Sequence, residues 1–486
     1  MHKLARLDHR YIWHPFTQMR DWLKREPVVI VSGKGAILRD VRGREYLDGN
    51  SSIWTNLHGH QHPGINAAIQ RQLKKIAHSS ALGLANEPAS RLAERLVRVA
   101  NPARLFNRKT QIANRKLSKV FFSDDGSTAI EVALKLAYEF ARRTGRSKKP
   151  KFLSLDGAYH GDTVGAVSLG HIDSFHKAYS GLLFKSDQVM APYCYCCPFN
   201  RAKPERADAR EYRKCNWECV GKVEQRFAKR KKRENPYAAF VFEPLIQGAA
   251  GMVPQPPGWL RRVAEIARGH DALLIADEVM TGFGRTGVAS TLTPQISTSL
   301  FASHHEGVQP DFLCLAKGLT AGYLPMAATL TTQEVFGAFL GEYHEFKTFF
   351  HGHSYTANQL GAAASLANLE ILQSPSSIRA RAKLEQTLRD ELKALWSLPN
   401  VGDVRQVGLI VGVELVRNWR TREPFDLRQR AGIRVCEAMS RRGVLTRPIG
   451  NVIVLMPPYC TTPARAQKMV RTLADSVTDV FGNQRL

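Results

Sequence analysis

Nowhere in its 486 residues does this chain carry an apolar run approaching the roughly 18 consecutive residues of a membrane-crossing helix, which excludes an integral helical membrane protein. Residues 1–13 mix His, Lys, Arg and Asp with isolated apolar side chains and lack a secretory apolar core, so a soluble protein in the cytoplasm is expected. Cysteine is scarce: eight thiols cannot staple a chain of this size, and no structural disulfide is expected. Neither an internal repeat nor a low-complexity linker is present, which excludes a solenoid and argues for lobes that pack tightly. Acidic residues are also few, 43 against 69 Lys and Arg, giving a net charge of +26. Much of that excess lies in Arg142 to Lys151 and Lys222 to Arg233, where few aromatic side chains are available for base stacking. These stretches read as two solvated basic faces, and no nucleic-acid partner is expected.

What is present is the balance of a folded enzyme, 44% hydrophobic and 23% charged, in a chain long enough for two or three segments around one large interior. Pro27 to Tyr46 alternates apolar stretches with Gly-containing turns and predicts a few antiparallel strands. From about Pro63 to Glu334, helical runs alternate with short apolar runs at Lys119 to Phe122, Phe152 to Leu155, Ala238 to Phe242 and Leu273 to Ala276. That order predicts an α/β fold with a mainly parallel sheet covered by helices on both faces. Ser127 to Arg143 has clear helical spacing. After Gly361, two helical stretches, a strand over Val407 to Leu415, a helix near Ala431 to Arg441 and a terminal helix from Pro463 suggest a smaller α+β lobe. The expected division is 1–62 and 346–486 in the small domain and 63–345 in the large one.

Tyr193 to Asn235 interrupts the alternation as a polar, basic insertion containing Cys194, Cys196, Cys197, Cys215 and Cys219. The thiols are numerous enough for a tetrahedral metal site but lack two clean C-x2-C knuckles, so free thiols are expected. His58, His60 and His62 lie in a Gly- and Pro-containing turn and are not expected to bind metal either.

A parallel sheet presents its chemistry at the carboxyl ends of its strands. Phe122 is followed by Ser123-Asp124-Asp125-Gly126-Ser127, whose Gly and hydroxyl groups open a helix and suit a phosphate, although Gly-Ser pairs also serve as plain caps. Asp156 to Asp162 places Tyr159 and His160 between glycines, a place for a planar cofactor to stack or a turn with a packing tyrosine. Asp277 ends an apolar strand, where a carboxylate is costly unless it meets a cation or caps a helix. Lys317 ends another, and burial there lowers the amine pKa and frees it for Schiff-base chemistry.

In this order the four pieces resemble the class III aminotransferases of the type I pyridoxal-phosphate fold. Asp277-Glu278-Val279, then Gly282-Phe283-Gly284-Arg285-Thr286-Gly287, then Lys317-Gly318 are similar to the signature of that class. Further matching stretches are Ile12 to Thr17, Asp48 to Gly59, Tyr159 to Thr163, His351 to Tyr355 and Arg447 to Gly450. Within the class these resemble the branch that transaminates 8-amino-7-oxononanoate to 7,8-diaminononanoate in biotin synthesis. The resemblance implies that pyridoxal 5'-phosphate is held by Gly126 and Ser127 at its phosphate, with His353 and Ser354 reaching the phosphate from the second subunit of a homodimer. It further implies Tyr159 stacked on the ring, Glu243 near the ring hydroxyl, Asp277 paired with the ring nitrogen and Lys317 as the attachment point. Phe16, Ile53, Trp54, Tyr159, Lys317, Gly352 and Arg447 would contact substrate, Arg447 holding the carboxylate in a guanidinium fork.

Phe16 and Ile53 stand where adenosylmethionine-using enzymes place a tyrosine and a tryptophan, and with Lys347 to His353 they are more similar to a branch that uses lysine. The amino donor therefore stays open between adenosylmethionine and lysine. Rival readings are another ω-amino transaminase, acting on ornithine, 4-aminobutyrate or β-alanine, and a nucleic-acid-binding protein on an inactivated enzyme fold. Arg447 and Trp13-His14-Pro15 favour the biotin branch over the first, and only the net charge supports the second.

Overall fold

The computed structural model describes residues 1–106, 115–287 and 299–482. Its centre is a seven-stranded sheet made of β1 (Leu117–Ser123), β2 (Lys151–Leu155), β3 (Asp187–Val189), β4 (Tyr237–Phe242), β5 (Leu273–Asp277), β6 (Phe312–Leu315) and β7 (Ala327–Thr332). The spatial order is β1-β7-β6-β5-β4-β2-β3. β7 runs antiparallel to both its neighbours, and the other pairs are parallel. The functional ends of β1, β2, β4, β5 and β6 therefore share one edge of the sheet.

β4 and β5 are buried along their whole length, which is why they read as unbroken apolar runs. Successive side chains go to opposite faces. Phe152, Val241, Ile275 and Phe312 pack against Ile130, Ala133, Ala137 and Phe140 of helix α1 (Gly126–Arg143). On the other face, Leu153, Phe240, Leu274 and Leu313 pack with Leu92 and Leu96, and with Leu260 and Val263 of a helix over Trp259–Gly269. Each fully buried Leu, Ile or Phe contributes about 1.5–3 kcal/mol, so the sheet holds its edge rigidly. α1 begins abruptly because Asp125 Oδ1 accepts from Thr128 N at 2.9 Å while Thr128 Oγ1 accepts from Asp125 N at 3.0 Å.

Ile30–Lys34, Ile37–Asp40 and Glu45–Asp48 form the expected antiparallel strands. Glu45–Asp48 is joined in parallel by Val444–Leu445, which ties the N-terminal segment to the C-terminal lobe. The single strand expected over Val407 to Leu415 is instead a hairpin, Val401–Val407 with Ile410–Asn418. Its turn escaped notice because Leu409, Ile410 and Val411 are all buried, so the apolar run continues through the break at Gly408.

The insertion is also shorter than expected. Glu218–Lys232 is a regular helix between β3 and β4, with Cys219, Val223 and Phe227 buried at helical spacing. Its basic residues are the solvent face of that helix, and this is what made the whole stretch read as an excursion. No helix among the described residues is long and apolar enough to cross a membrane.

Candidate active site

A cavity of about 730 Å³ opens at the shared edge and is lined by Trp54, Tyr159, His160, Glu243, Asp277, Lys317 and the Asp124 to Ser127 turn. Asp277 and Lys317 end or follow adjacent parallel strands, with Asp277 opposite Cys314 in the ladder. Sheet adjacency thus brings together two side chains 40 residues apart in sequence.

Lys317 has a left-handed backbone, φ +40°, rare for a side chain of this type and found where structure is held for function. Its Nζ lies 4.9 Å from the Trp54 ring centroid. Burial lowers its pKa, partly opposed by Asp277 and Glu243. Asp277 Oδ1 accepts from Val279 N at 3.1 Å, and Oδ2 lies 2.7 Å from His160 Nδ1. Glu278, the next residue, does different work: its carboxylate accepts from Ser303 N, Ser303 Oγ and Ala302 N at 2.6–2.9 Å and braces the scaffold. Glu243 is buried, one oxygen accepting from Gly248 N at 2.8 Å, and burial pushes its carboxyl up to about 7.

Gly126 and Ser127 are the first residues of α1, an eighteen-residue helix whose dipole favours an anion there. A Cβ on Gly126 would stand 2.7 Å from Val279 Cγ1, so this approach requires glycine. Ser127 Oγ accepts from Asp162 N at 2.6 Å, locking the helix start against the Tyr159 loop. Tyr159 donates to Asp162 Oδ2 at 2.7 Å, and burial raises its pKa.

Trp54 closes the cavity from a strained turn. Ser51, Ser52, Ile53 and Trp54 all have φ between +46° and +69°, held by Asp48, which accepts from Asn50 N, Ser52 N and Ser52 Oγ at 3.0–3.2 Å. Trp54 lines the cavity whereas Ile53 is 45% exposed and does not. Phe16 lies 6.3 Å from the Tyr159 ring and 5.3 Å from Phe175, and its carbonyl accepts from Arg447 Nη2 at 2.8 Å. Arg447 is therefore linked to the cavity mouth through Phe16 without lining the cavity.

His353, Ser354 and Gly352 lie on a segment outside the cavity lining. His353 Nε2 is 3.2 Å from Asp124 Oδ1 of the same chain, and the Ser354 carbonyl faces His78 Nε2 at 2.7 Å. His58 is hydrogen-bonded to Asn368, and His60 to Asp48 and Asn56. All eight cysteines are free thiols. No three His, Cys, Asp or Glu side chains among the described residues are gathered as ion ligands.

Sequence reasoning placed His160 in the loop but missed its bond to Asp277, and it missed Phe175 and His176 beside Tyr159 altogether. The His176 ring stacks on Tyr159 at 6.2 Å. Both lie in the short helix Asp173–His176, which carries no motif.

The arrangement fits a flat, phosphate-bearing cofactor. Trp54 Nε1, Glu243 Oε1, His160 Nε2 and Thr163 Oγ1 are buried without protein partners, and all four residues line this one cavity. Beside them stand a helix N-terminus for an anion, a carboxylate for a ring cation and a neutralisable amine.

Fold and site together define an aminotransferase of the pyridoxal-phosphate type, and comparison with known families agrees. Residues 19–477 match the family model Aminotransferase class-III, and the chain belongs to that family. It is 46% identical over 475 residues to the adenosylmethionine-8-amino-7-oxononanoate aminotransferase of Geobacter sulfurreducens, covering 98% of this chain and 97% of that one. The crystal structure of the Methanocaldococcus jannaschii protein of the same name superposes with a TM-score of 0.86 at 38% identity, covering 98% of both chains. An amine transaminase from an uncultivated Pseudomonas species, solved in its PLP-bound form, has a TM-score of 0.84 at 32% identity, covering 96% of this chain and 98% of that one.

Proposed function

We propose that this chain transfers an amino group to 8-amino-7-oxononanoate, forming 7,8-diaminononanoate for biotin synthesis, with pyridoxal 5'-phosphate as cofactor and S-adenosylmethionine as the donor. The observation that carries the reading is the meeting of Asp277 and Lys317 at adjacent strand ends over one cavity, beside Glu243, Tyr159 and the α1 N-terminus. Near-full-length similarity to proteins named for that substrate and donor supports this choice over other ω-amino transaminases.

Bound there, pyridoxal phosphate supplies an electron sink for the pair released when a bond to the amine-bearing carbon breaks. Gly126 and Ser127 hold its phosphate at the α1 N-terminus, and His353 and Ser354 of a second subunit complete that grip in a homodimer. Tyr159 packs on the ring face, and Glu243 lies by the ring hydroxyl. Asp277 holds a proton on the ring nitrogen, which keeps the ring electron-poor. Lys317 Nζ would be the cofactor's attachment point, and as a neutral amine it would carry the proton between the substrate carbon and the cofactor side of the transfer. Desolvation suits it to that task, because a neutral amine is both nucleophile and base.

Arg447, tied to the cavity mouth by the Phe16 carbonyl, takes the distant carboxylate of the oxo acid, and Phe16 and Trp54 border its aliphatic chain, whereas Ile53 and Gly352, assigned to substrate by the resemblance, lie outside the cavity lining. The same reading makes 63–345 the cofactor-binding domain and 1–62 with 346–486 the smaller one, which the pairing of Leu47 with Val444 supports. It places the enzyme in the cytoplasm, where a biosynthetic transaminase meets its small-molecule substrates.

The test is the visible absorbance of the cofactor-loaded protein, titrated separately with adenosylmethionine and with lysine. Bleaching by adenosylmethionine, followed by recovery on adding 8-amino-7-oxononanoate, is expected. Bleaching by lysine alone would replace the donor, and a protein that never develops a visible band would overturn the assignment.

A further inference from the structure

A buried amide stands directly behind the lysine, and nothing in the transfer outlined above uses it. Asn368 lies on a helix over Gln359–Gln373 and has no exposed surface. Its Nδ2 donates to the carbonyls of Gly318 and Leu319 at 2.8 and 2.9 Å, so both amide protons are spent on the two residues that follow Lys317. Its Oδ1 lies 2.8 Å from His58 Nε2. The two carbonyls can only accept, which fixes the orientation of the amide and makes the Nε2–H of His58 the donor to Oδ1. Burial pushes the His58 pKa down to about 3, so that ring is neutral.

Both ends of this link belong to the cavity. Lys317 opens the tight turn Lys317–Thr320 at φ +40°, with Nζ 4.9 Å from the Trp54 ring centroid. His58 lies just after Trp54 in the same segment. The two segments also touch: a Cβ on Gly318 would stand 3.2 Å from Leu57 Cδ1, and one on Gly322 would stand 2.9 Å from Asn56 N. Farther along, Tyr323 Oη accepts from His62 N.

We propose that Asn368 is a positioning residue for the transfer: gripping the turn after Lys317 with two hydrogen bonds and the Trp54 segment through His58, it fixes where the Lys317 amine stands over the Trp54 ring. The proposal rests on the pyridoxal-phosphate reading. A lysine at positive φ persists only where its surroundings over-determine it, and here the carbonyls that follow it are clamped from behind. A leucine would fill the same apolar interior without needing three partners, so packing does not account for the amide. Fully satisfied buried polar groups select one arrangement among several of similar packing, which is what an amine that must meet a cofactor carbon requires.

Two forms of the cofactor separate positioning from folding. Pyridoxal phosphate carries an aldehyde, with which Lys317 Nζ condenses with loss of water to give the visible band of the attached cofactor. Pyridoxamine phosphate has the same ring and phosphate but an amine in place of the aldehyde, so it binds without attachment. The measurements are the rate at which the band appears on mixing pyridoxal phosphate with cofactor-free protein, the equilibrium affinity for pyridoxamine phosphate, and melting of the cofactor-free protein. Asn368→Leu removes all three hydrogen bonds. Asn368→Asp keeps the acceptor for His58 and, when protonated, one donor for the turn. Asp277 and Glu243 act on Lys317, and His62, Arg381 and Arg285 act on His58; neither variant alters these groups.

In Asn368→Leu attachment should be about tenfold slower or more, the scale of two lost hydrogen bonds and a misplaced reacting atom, while affinity for pyridoxamine phosphate stays within about twofold of wild type. Relative to wild type at the same pH, Asn368→Asp should attach faster than leucine at about pH 6 and lose that advantage as pH rises and its carboxyl ionises against two carbonyls. Where Asn368→Leu does not fold, His58→Phe loosens the same link from its other end and should likewise slow attachment without weakening pyridoxamine phosphate. Attachment at the wild-type rate, equal losses of attachment and of pyridoxamine phosphate affinity, or an aspartate variant no faster than leucine at any pH would overturn the positioning role while leaving the aminotransferase reading intact. Wild type that never develops the band would overturn that underlying reading, and this proposal with it.

Discussion

Gly161 has φ +122°, and a Cβ built on it would fall inside the van der Waals shell of Ser127 Oγ and stand 2.7 Å from Ser127 Cβ. Alanine there meets two penalties. The backbone conformation costs a non-glycine residue about 1–3 kcal/mol, and forcing the overlap apart costs about 1–3 kcal/mol more. Relief can come only by moving Ser127 away from Asp162 N, which opens the helix start proposed to hold the cofactor phosphate. Gly161→Ala should therefore lose about 2–6 kcal/mol of stability and bind pyridoxal phosphate at least about tenfold more weakly. Gly145→Ala is the control: Gly145 also has positive φ, +70°, but a Cβ there meets nothing within 4 Å, so only the backbone penalty applies. The assays are thermal melting of the cofactor-free proteins and equilibrium titration with cofactor. If Gly161→Ala matched Gly145→Ala in both, the close approach of the Tyr159 loop to Ser127 would not matter, and the phosphate turn would need to be placed elsewhere.

Asp277→Ala removes the only acid ending β5 and should lower kcat about 10²–10³-fold while leaving some cofactor bound, and unchanged steady-state turnover would refute its role. Arg447→Lys keeps the charge but loses the fork, so KM for the oxo acid should rise about tenfold while KM for the donor changes little. Burial holds the Glu243 carboxyl at about 7 against an ordinary 4.5, so between those values the folded chain keeps a proton that the unfolded chain has lost. This group's contribution to stability then falls as pH rises through that window. Melting of the cofactor-free protein from about pH 5 to pH 8 should accordingly show Glu243→Gln gaining on wild type as pH rises, and a constant offset would refute the direction of the shift.

Legibility in the sequence followed the range of the interactions involved. β4, β5 and α1 could be read within a residue or two because strand and helix periods, and the Asp125 to Thr128 cap, are local properties. The hairpin turn at Gly408 and the helix Glu218–Lys232 were misread where one local signal masked another: apolar side chains continued through the turn, and basic ones hid a buried stripe. Trp54 was marked by its neighbours in the Asp48 to Gly59 stretch, but the left-handed turn that carries it could not be anticipated. Four L-residues at positive φ persist only because Asp48 and the surrounding packing hold them.

By itself, the order of residues determined that an aspartate and a lysine would each end a buried apolar strand, that Gly126 would open a helix and that Tyr159 would stand in a glycine turn, because these depend on spacing and side-chain chemistry alone. Only the tertiary structure decided that β5 and β6 are neighbours and that His160 reaches Asp277 across β4. The same holds for Phe16, which joins Arg447 to the cavity mouth from 431 residues away. Strand order and such contacts arise from long-range burial and loop closure, in which every part of the chain competes for the same interior, and no local pattern records who wins.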